Sequence, residues 1–207
     1  MRLKLNNKRL ASLVLCMIPW FPGSVAAHEP SSAKIEPSRR IAVNQKAPRL
    51  TLVDQDGKPF ISEDRLHSKI VAMNFIYTTC SDVCPLFTVE FARLQRALKS
   101  QPRQDFFLVS ITTDPEIDTP KVLKAYAQRF EADFQNWAFL TGNELQMKQV
   151  WKAFGVQVIR RGRGLVQHTN LTTLIDARGS RRINFLGPQW QFGDLLKDMR
   201  ALSQIEP

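Results

Sequence analysis

Cysteine is scarce in this 207-residue chain: there are three, Cys16, Cys80 and Cys84. That number cannot build the disulfide framework of a small secreted domain, so the pair at 80 and 84 reads as a site. Histidine is as scarce, at His28, His67 and His168. Together these residues leave no fourth strong ligand for a closed structural zinc site. Residues 1–27 contain no acid, and no proline stands between Pro120 and Pro188. The apolar run Leu10–Phe21 is shorter than the ~20 residues of a spanning helix, and Pro19 interrupts it. There is no internal repeat and no motif for haem, nucleotide or nucleic acid.

What the chain does have is globular composition, 43% hydrophobic and 23% charged, in a length suited to one domain plus extras. Its net charge is +10, and Arg2, Lys4, Lys8 and Arg9 supply four of those charges. A chain beginning at His28 would carry +10 − 4 = +6. Such a charge attracts anionic lipid or an acidic partner. Its scattered distribution argues against nucleic acid. The basic start, the apolar run and Val25-Ala26-Ala27 read as a secretory signal over 1–27, with an uncleaved membrane anchor as the alternative. Cys16 falls inside the apolar core of that signal, and Leu15 before it is too large for a lipidation site. Export places the protein in the periplasm, or facing it from the membrane. A free His28 amine and imidazole could chelate metal, but a disordered start is the simpler reading.

Residues 28–46 are polar and proline-containing, as in a flexible linker. The domain is expected over 47–203. Leu50–Val53 and Pro59–Ile61 flank Asp54-Gln55-Asp56-Gly57, a hairpin signal. Ile70–Tyr77 is almost continuously apolar, as in a strand covered on both faces. Phe87, Phe91, Leu94 and Leu98 mark one face of a helix. Phe106–Ile111 reads as a strand, and Asp118-Thr119-Pro120 as a helix start. Trp137–Leu140 is a short strand, and Leu145–Phe154 is a helix stopped by Gly155. Val156–Ile159 is extended, and Arg160-Arg161-Gly162-Arg163-Gly164 reads as a solvated hairpin turn. Leu171–Asp176 and Arg182–Leu186 flank Ala177-Arg178-Gly179-Ser180, a second hairpin. Trp190–Leu202 closes the chain as an amphipathic helix. Strand–helix alternation followed by a hairpin gives an α/β fold, a mixed central sheet flanked by helices with an extra N-terminal hairpin. A dithiol at the end of the central strand fits its thioredoxin-like form.

Pro85 is tolerated only in the first turn of a helix, so the helix begins near residues 81–84. Cys84 then lies in that turn and Cys80 just outside it. The helix dipole and its unpaired N–H groups favour thiolate there. Thiolate serves metal binding, disulfide exchange and peroxide attack alike. The spacing is one residue longer than the Cys-x-x-Cys of thiol exchangers. Where an exchanger keeps a cis-proline, this chain reads Gln167-His168-Thr169-Asn170. Two thiolates and one imidazole form a soft, low-coordinate set that suits Cu(I), or Cu(II) with a further weak ligand. His67 lies in a polar loop and reads as structural. Asp82 and Asp114 are solvated loop acids or outer contacts of the site.

At these residues the chain resembles the Sco/SenC family of thioredoxin-like copper proteins. The resemblance rests on Thr79-Cys80-Ser81-Asp82-Val83-Cys84-Pro85, on Thr113-Asp114-Pro115-Glu116 with Asp118-Thr119-Pro120, and on Leu140-Thr141-Gly142. His168 ahead of Leu174-Ile175-Asp176 and Gly179 completes it. It spans roughly residues 40–203. The resemblance implies copper ligation by Cys80, Cys84 and His168, a redox-active Cys80–Cys84 disulfide, and copper delivery to cytochrome c oxidase's copper-centre subunit or another thiol acceptor. It also implies, as an alternative, reduction of that acceptor's cysteines; a thiol peroxidase or redox sensor is a remoter reading. No turnover chemistry is required of a carrier. Two departures stand out: Gln167 where the family usually has aspartate, and Ile117 where it often has arginine. Neither removes a ligand; the first bears on how His168 is oriented.

Overall fold

Strand β4 (Ile70–Ile76) has every one of its seven residues buried, which forces cover on both of its faces. Its partners are β5 (Phe106–Thr112), parallel, and β9 (Leu171–Ile175), antiparallel. In this computed structural model, which describes residues 39–100, 105–187 and 190–204, these strands form the middle of a six-stranded mixed sheet. Its order is β1-β10-β9-β4-β5-β6, with β1 Arg39–Lys46, β6 Trp137–Leu140 and β10 Ser180–Leu186. The expected segments 1–27 and 28–38 lie outside the described residues. Among the described residues no helix is long and apolar enough to cross a membrane.

Alternation along β4 divides the core in two. Ile70, Ala72 and Ile76 face a cluster containing Phe87, Phe91, Leu94 and Leu98 of α2 (Cys84–Lys99), together with Leu123 of α3 (Pro120–Arg129) and Leu195 and Met199 of α5 (Phe192–Ser203). Val71, Met73 and Phe75 face Met147, Val150, Trp151 and Phe154 of α4 (Glu144–Phe154), with Leu52 and Phe60 of the N-terminal hairpin. That hairpin is β2 (Thr51–Val53) and β3 (Pro59–Ile61), as expected, and a single helical turn, α1 (Ser62–Arg65), follows it. Local chemistry sets the helix ends. Thr119 caps α3 ahead of Pro120. Asn143 and Gln146 form a capping box on α4. Gly155, at φ 75°, ends α4 in the left-handed conformation that glycine adopts without strain.

Two expectations need correcting. The linker does not run to residue 46: Arg39–Lys46 is strand β1, paired antiparallel with β10 from Arg39↔Leu186 to Lys46↔Ser180. Its residues are mostly exposed, so its composition reads as linker; its order comes from backbone pairing and from Arg40, which donates twice to Asp198 of α5 at 2.7 and 2.9 Å. The second concerns Val156–Gly164. The extended stretch and the hairpin turn are both present, as β7 (Val158–Gly162) and β8 (Leu165–His168) of a separate two-stranded sheet, but the turn is shorter than expected, with only Arg163 and Gly164 at the tip.

A chain begun at Ala47 should therefore be less stable than one begun at Arg39. Losing β1 strips the edge from β10 and exposes its ladder groups. At a loss of roughly 2–3 kcal/mol the melting temperature falls by about 5–10 °C. Thermal unfolding of the two fragments, with light scattering for edge-driven association, checks this.

Candidate metal centre

The site is built on the segment that leaves β4. Ile76 keeps its carbonyl bonded by the Thr113 N–H at 2.7 Å and by the Thr113 hydroxyl at 3.1 Å. Two residues on, Thr78 is gripped by Asp118. The carboxylate accepts the Thr78 hydroxyl at 2.5 Å, the Thr78 N–H at 3.2 Å and the Thr112 hydroxyl at 2.5 Å. Asp118 is fully buried. Burial raises its pKa, and the hydrogen bonds from Thr112 and Thr78 work against that rise.

Helix α2 starts at Cys84 with Pro85 in its first turn, where a missing N–H costs nothing. Val83 precedes it and offers no side-chain cap. The N–H groups of Asp82 and Cys84 instead bond the sulfur of Cys80. Both cysteines are free and buried, Cys80 at 8% exposure and Cys84 at 0%. Their sulfurs share a proton. The Cys84 thiol donates to Cys80, and this bond, the two backbone donors and the Tyr77 hydroxyl together overcome burial and bring Cys80 down to about 5. Cys84 moves the opposite way, pushed up first by the Cys80 sulfur it serves and then by its own burial. Both shifts describe a pair that gives up one proton readily and holds the second. Cys80 carries the charge because the backbone donors point at it.

His168 ends β8, in register with Val158. Its Nδ1 lies 3.0 Å from the Thr169 carbonyl, an acceptor only, so Nδ1 carries the proton and donates. Nε2 is left with a lone pair and stands 4.0 Å from Cys84 Sγ. Burial lowers the pKa of His168, while the Thr169 bond and the Cys80 charge oppose the shift. A neutral imidazole results, the form that binds metal. With bonds of about 2.3 Å to sulfur and about 2.1 Å to nitrogen, taken from zinc, one ion reaches across a pair of donors up to ~4.4 Å apart. The Cys84–His168 separation falls inside that reach. Among the described residues no group of three or more histidine, cysteine, aspartate or glutamate side chains is already gathered as a metal cage. The donors are soft, few and partly buried: a set able to close on a thiophilic ion.

The other candidates separate. Asp114 is buried and paired with Arg160 at 3.2 Å, while Asp82 is exposed. His67 bonds the hydroxyl of Ser68 at 3.0 Å and lines a different cavity, of about 650 Å³, with Lys46 and Val71. Gln167 points outward, accepting from Arg161 at 3.2 Å, so the family's aspartate position does not orient His168 here. The basic turn is exposed, as expected, but it is also tied down. Gly164 accepts the Thr79 hydroxyl at 3.0 Å, and Arg160 also bonds Glu116 at 2.7 Å. Gly164 has φ 74°, and a Cβ there would meet Ile117 Cδ1 at 3.2 Å, so the tip accepts glycine for two reasons. Ile117 thus packs where the family often has arginine.

The model of the family described as SCO1/SenC matches residues 39–203. The chain belongs to that family. A protein of Stutzerimonas stutzeri named as copper-binding is 35% identical over 145 residues, 68% of this chain and 69% of its own. The SCO1/SenC family lipoprotein of Bacillus anthracis superposes with a TM-score of 0.71 at 33% identity, covering 78% of this chain and 97% of that one. BsSco, described as a member of the Sco family of cytochrome c oxidase assembly proteins with a disulfide switch, gives a TM-score of 0.68 at 28% identity, over 80% and 98%. The thioredoxin-like fold of this SCO1/SenC protein is therefore shared with these neighbours over about four fifths of the chain.

Sequence reasoning missed Tyr77 and Asp118 as parts of the site. Tyr77 bonds Cys80 and sets its ring edge-on to His168, centroids 5.8 Å apart. The sequence places it only at the end of an apolar strand. Asp118 sits in the quoted Asp-Thr-Pro motif, but nothing there shows that its side chain turns inward.

The shared proton predicts the pH dependence of thiol reactivity. The pKa of Cys80 is depressed, so its thiolate forms as pH rises through about 5 and persists at all higher pH. Alkylation of the reduced protein should show this midpoint. In Cys84→Ala the thiol donor is removed, and the midpoint should move up toward the ordinary thiol value.

Proposed function

We propose that this protein is a copper carrier of the cell envelope, holding copper through Cys80, Cys84 and His168. It delivers the ion to an acceptor with its own thiols, of which the copper-centre subunit of cytochrome c oxidase is the leading example. The observation that carries the reading is the Nε2 of His168, unprotonated and 4.0 Å from Cys84 Sγ. An exchanger has no use for an imidazole there; a soft monovalent ion does. The Stutzerimonas relative named as copper-binding and the oxidase-assembly description of BsSco support it.

Copper is cargo, so the residues must bind and also release it. Cys80 is charged without the ion and accepts it first. The Cys84 proton leaves as the second sulfur engages, which makes loading release a proton. An incoming acceptor thiolate then replaces the donors one at a time. Oxidation of the pair to a Cys80–Cys84 disulfide removes both thiolates and blocks loading. The signal-like 1–27 segment supports an exported, periplasm-facing carrier tethered to or near the membrane, and the Bacillus anthracis relative is described as a lipoprotein.

A second reading, thiol–disulfide reductase acting on acceptor cysteines, is favoured by one observation: a low-pKa Cys80 beside a buried thiol partner is what exchange requires. Peroxide attack by Cys84 is disfavoured, because that sulfur is wholly buried and its pKa is raised.

Titration of the reduced protein with Cu(I) and Cu(II) under anaerobic conditions tests the proposal. The expected result is one ion per chain. Affinity should fall at least about 10-fold in His168→Ala and more in Cys80→Ser. Absent stoichiometric binding, or binding indifferent to His168, would sink the carrier reading. Undiminished reduction of an acceptor disulfide by His168→Ala would support the reductase instead.

A further inference from the structure

Asp118 is a buried acid that neither cysteine nor histidine touches by any hydrogen bond, and it lies 34 positions beyond Cys84 in the chain. Its surroundings are specific. Three donors converge on it: the Thr78 hydroxyl, the Thr78 N–H and the Thr112 hydroxyl. An ionised carboxylate is acceptor-only, so it satisfies all three without a proton of its own. The Thr112 hydroxyl that donates to it also receives the Asp114 N–H at 2.8 Å, and the Asp118 N–H reaches the Asp114 carbonyl at 2.9 Å. The carboxylate is therefore locked to its own loop, at the end of β5, and grips a residue two positions before Cys80.

The grip matters because, apart from the packing of Cys80 and Val83 on the core, little else holds that segment from beneath. From Thr78 to Val83 there is no helix or strand. The Cys80 N–H makes only a long bond, 3.3 Å, to the Tyr77 carbonyl. Thr79 is tied to Gly164 in the hairpin that carries His168. The loop thus has one anchor on the sheet side, Asp118, and one on the hairpin side.

We infer that Asp118 is the positioning residue of the dithiol: it fixes Thr78 so that Cys80 is presented to Cys84 and to the imidazole at a defined separation. The inference rests on the copper-carrier reading for its bearing on metal, but not for its bearing on the thiols. A fixed loop raises the effective concentration of one sulfur at the other, and this favours both disulfide closure and joint ligation of one ion. In closure by oxidised glutathione, the Cys80 thiolate breaks the glutathione S–S bond, forming a mixed disulfide and releasing one glutathione thiolate. Cys84 gives its proton to that thiolate, attacks Cys80 and releases the second, which takes a proton from water, so the pair loses two electrons and two reduced glutathiones leave.

The test uses the full chain in four forms: wild type, Asp118→Asn, Thr78→Val and Gly155→Ala. The last perturbs the distant α4 cap and serves as a stability control. In Asp118→Asn the equilibrium constant for disulfide formation against glutathione should fall about 10-fold, equivalent to about 30 mV. Anaerobic Cu(I) affinity should fall about 10- to 100-fold, the range typical of lost outer partners. Thr78→Val, which keeps the N–H and loses one hydroxyl donor, should shift both in the same direction by less. Gly155→Ala should lower the melting temperature while leaving both constants at their wild-type values. A wild-type glutathione equilibrium in Asp118→Asn overturns the inference, as does an equal shift in Gly155→Ala. If Asp118→Asn does not fold, an unshifted Thr78→Val overturns it instead. Failure of the wild type to bind copper would sink the carrier reading alone, since the thiol equilibrium still reports on Asp118.

Discussion

A strand with no exposed residue cannot end casually. β4 is covered on one face by α2, α3 and α5 and on the other by α4 and the N-terminal hairpin. Its last carbonyl is already taken by Thr113, so the chain that leaves Ile76 departs from a fixed point in a fixed direction. Only seven residues separate Ile76 from Cys84 and the start of α2, and α2 must lay Phe87, Phe91 and Leu94 back on the sheet it has just left. The tight connection places both sulfurs over the end of the sheet. Core packing, in this sense, decides where the chemistry is.

Electrostatics then makes the two sulfurs unequal. Helix α2 begins without a side-chain cap, since Val83 has nothing to offer. Its need for an acceptor is met partly by sulfur: the N–H groups of Asp82 and Cys84 are spent on Cys80. A thiolate is a better acceptor than a thiol, so the helix start and the charge on Cys80 stabilise each other. Cys84, the first residue of the helix and fully buried, keeps its proton and gives the hydrogen bond. One sulfur is poised and the other held back by the protein's own groups. That asymmetry serves an ion carrier and a thiol exchanger equally well; only the imidazole tips the balance between them.

Much of this is legible in the chain itself. Continuous burial of β4, the helix face at Phe87, Phe91, Leu94 and Leu98, the Pro85 start and the Gly155 stop all follow from side-chain type and spacing, and the structure agrees. So does the juxtaposition of His168 with the cysteine turn, which topology alone required. What sequence could not carry is information held by backbone pairing and by inward turns of polar groups. Strand β1 buries little, so its residues Arg39, Arg40, Asn44 and Gln45 gave no period of two to read. The β7–β8 hairpin is mostly exposed for the same reason. Asp118 looks like any acid ahead of a helix. Its burial depends on two threonines 40 and 6 positions away, a relation that no local pattern encodes.

The hairpin that bears His168 lies outside the main sheet and meets the α4-side core through Val158. It is a sheet of two strands, docked by Val166 beneath, by Arg160 on Asp114 and Glu116, and by Gly164 on Thr79. The site therefore has two halves of different origin. The dithiol half is rooted in the central sheet, while the imidazole half is delivered by an arm held through a few polar contacts. This division explains why Gln167 is tolerated in place of the family's aspartate. On a two-stranded arm neighbouring side chains point to opposite faces, so a change at 167 is felt on the outer face, by Arg161, while the ring of 168 keeps its proton directed at the Thr169 carbonyl. The tautomer that leaves Nε2 unprotonated is set by the arm's own backbone, with no carboxylate at 167 to set it.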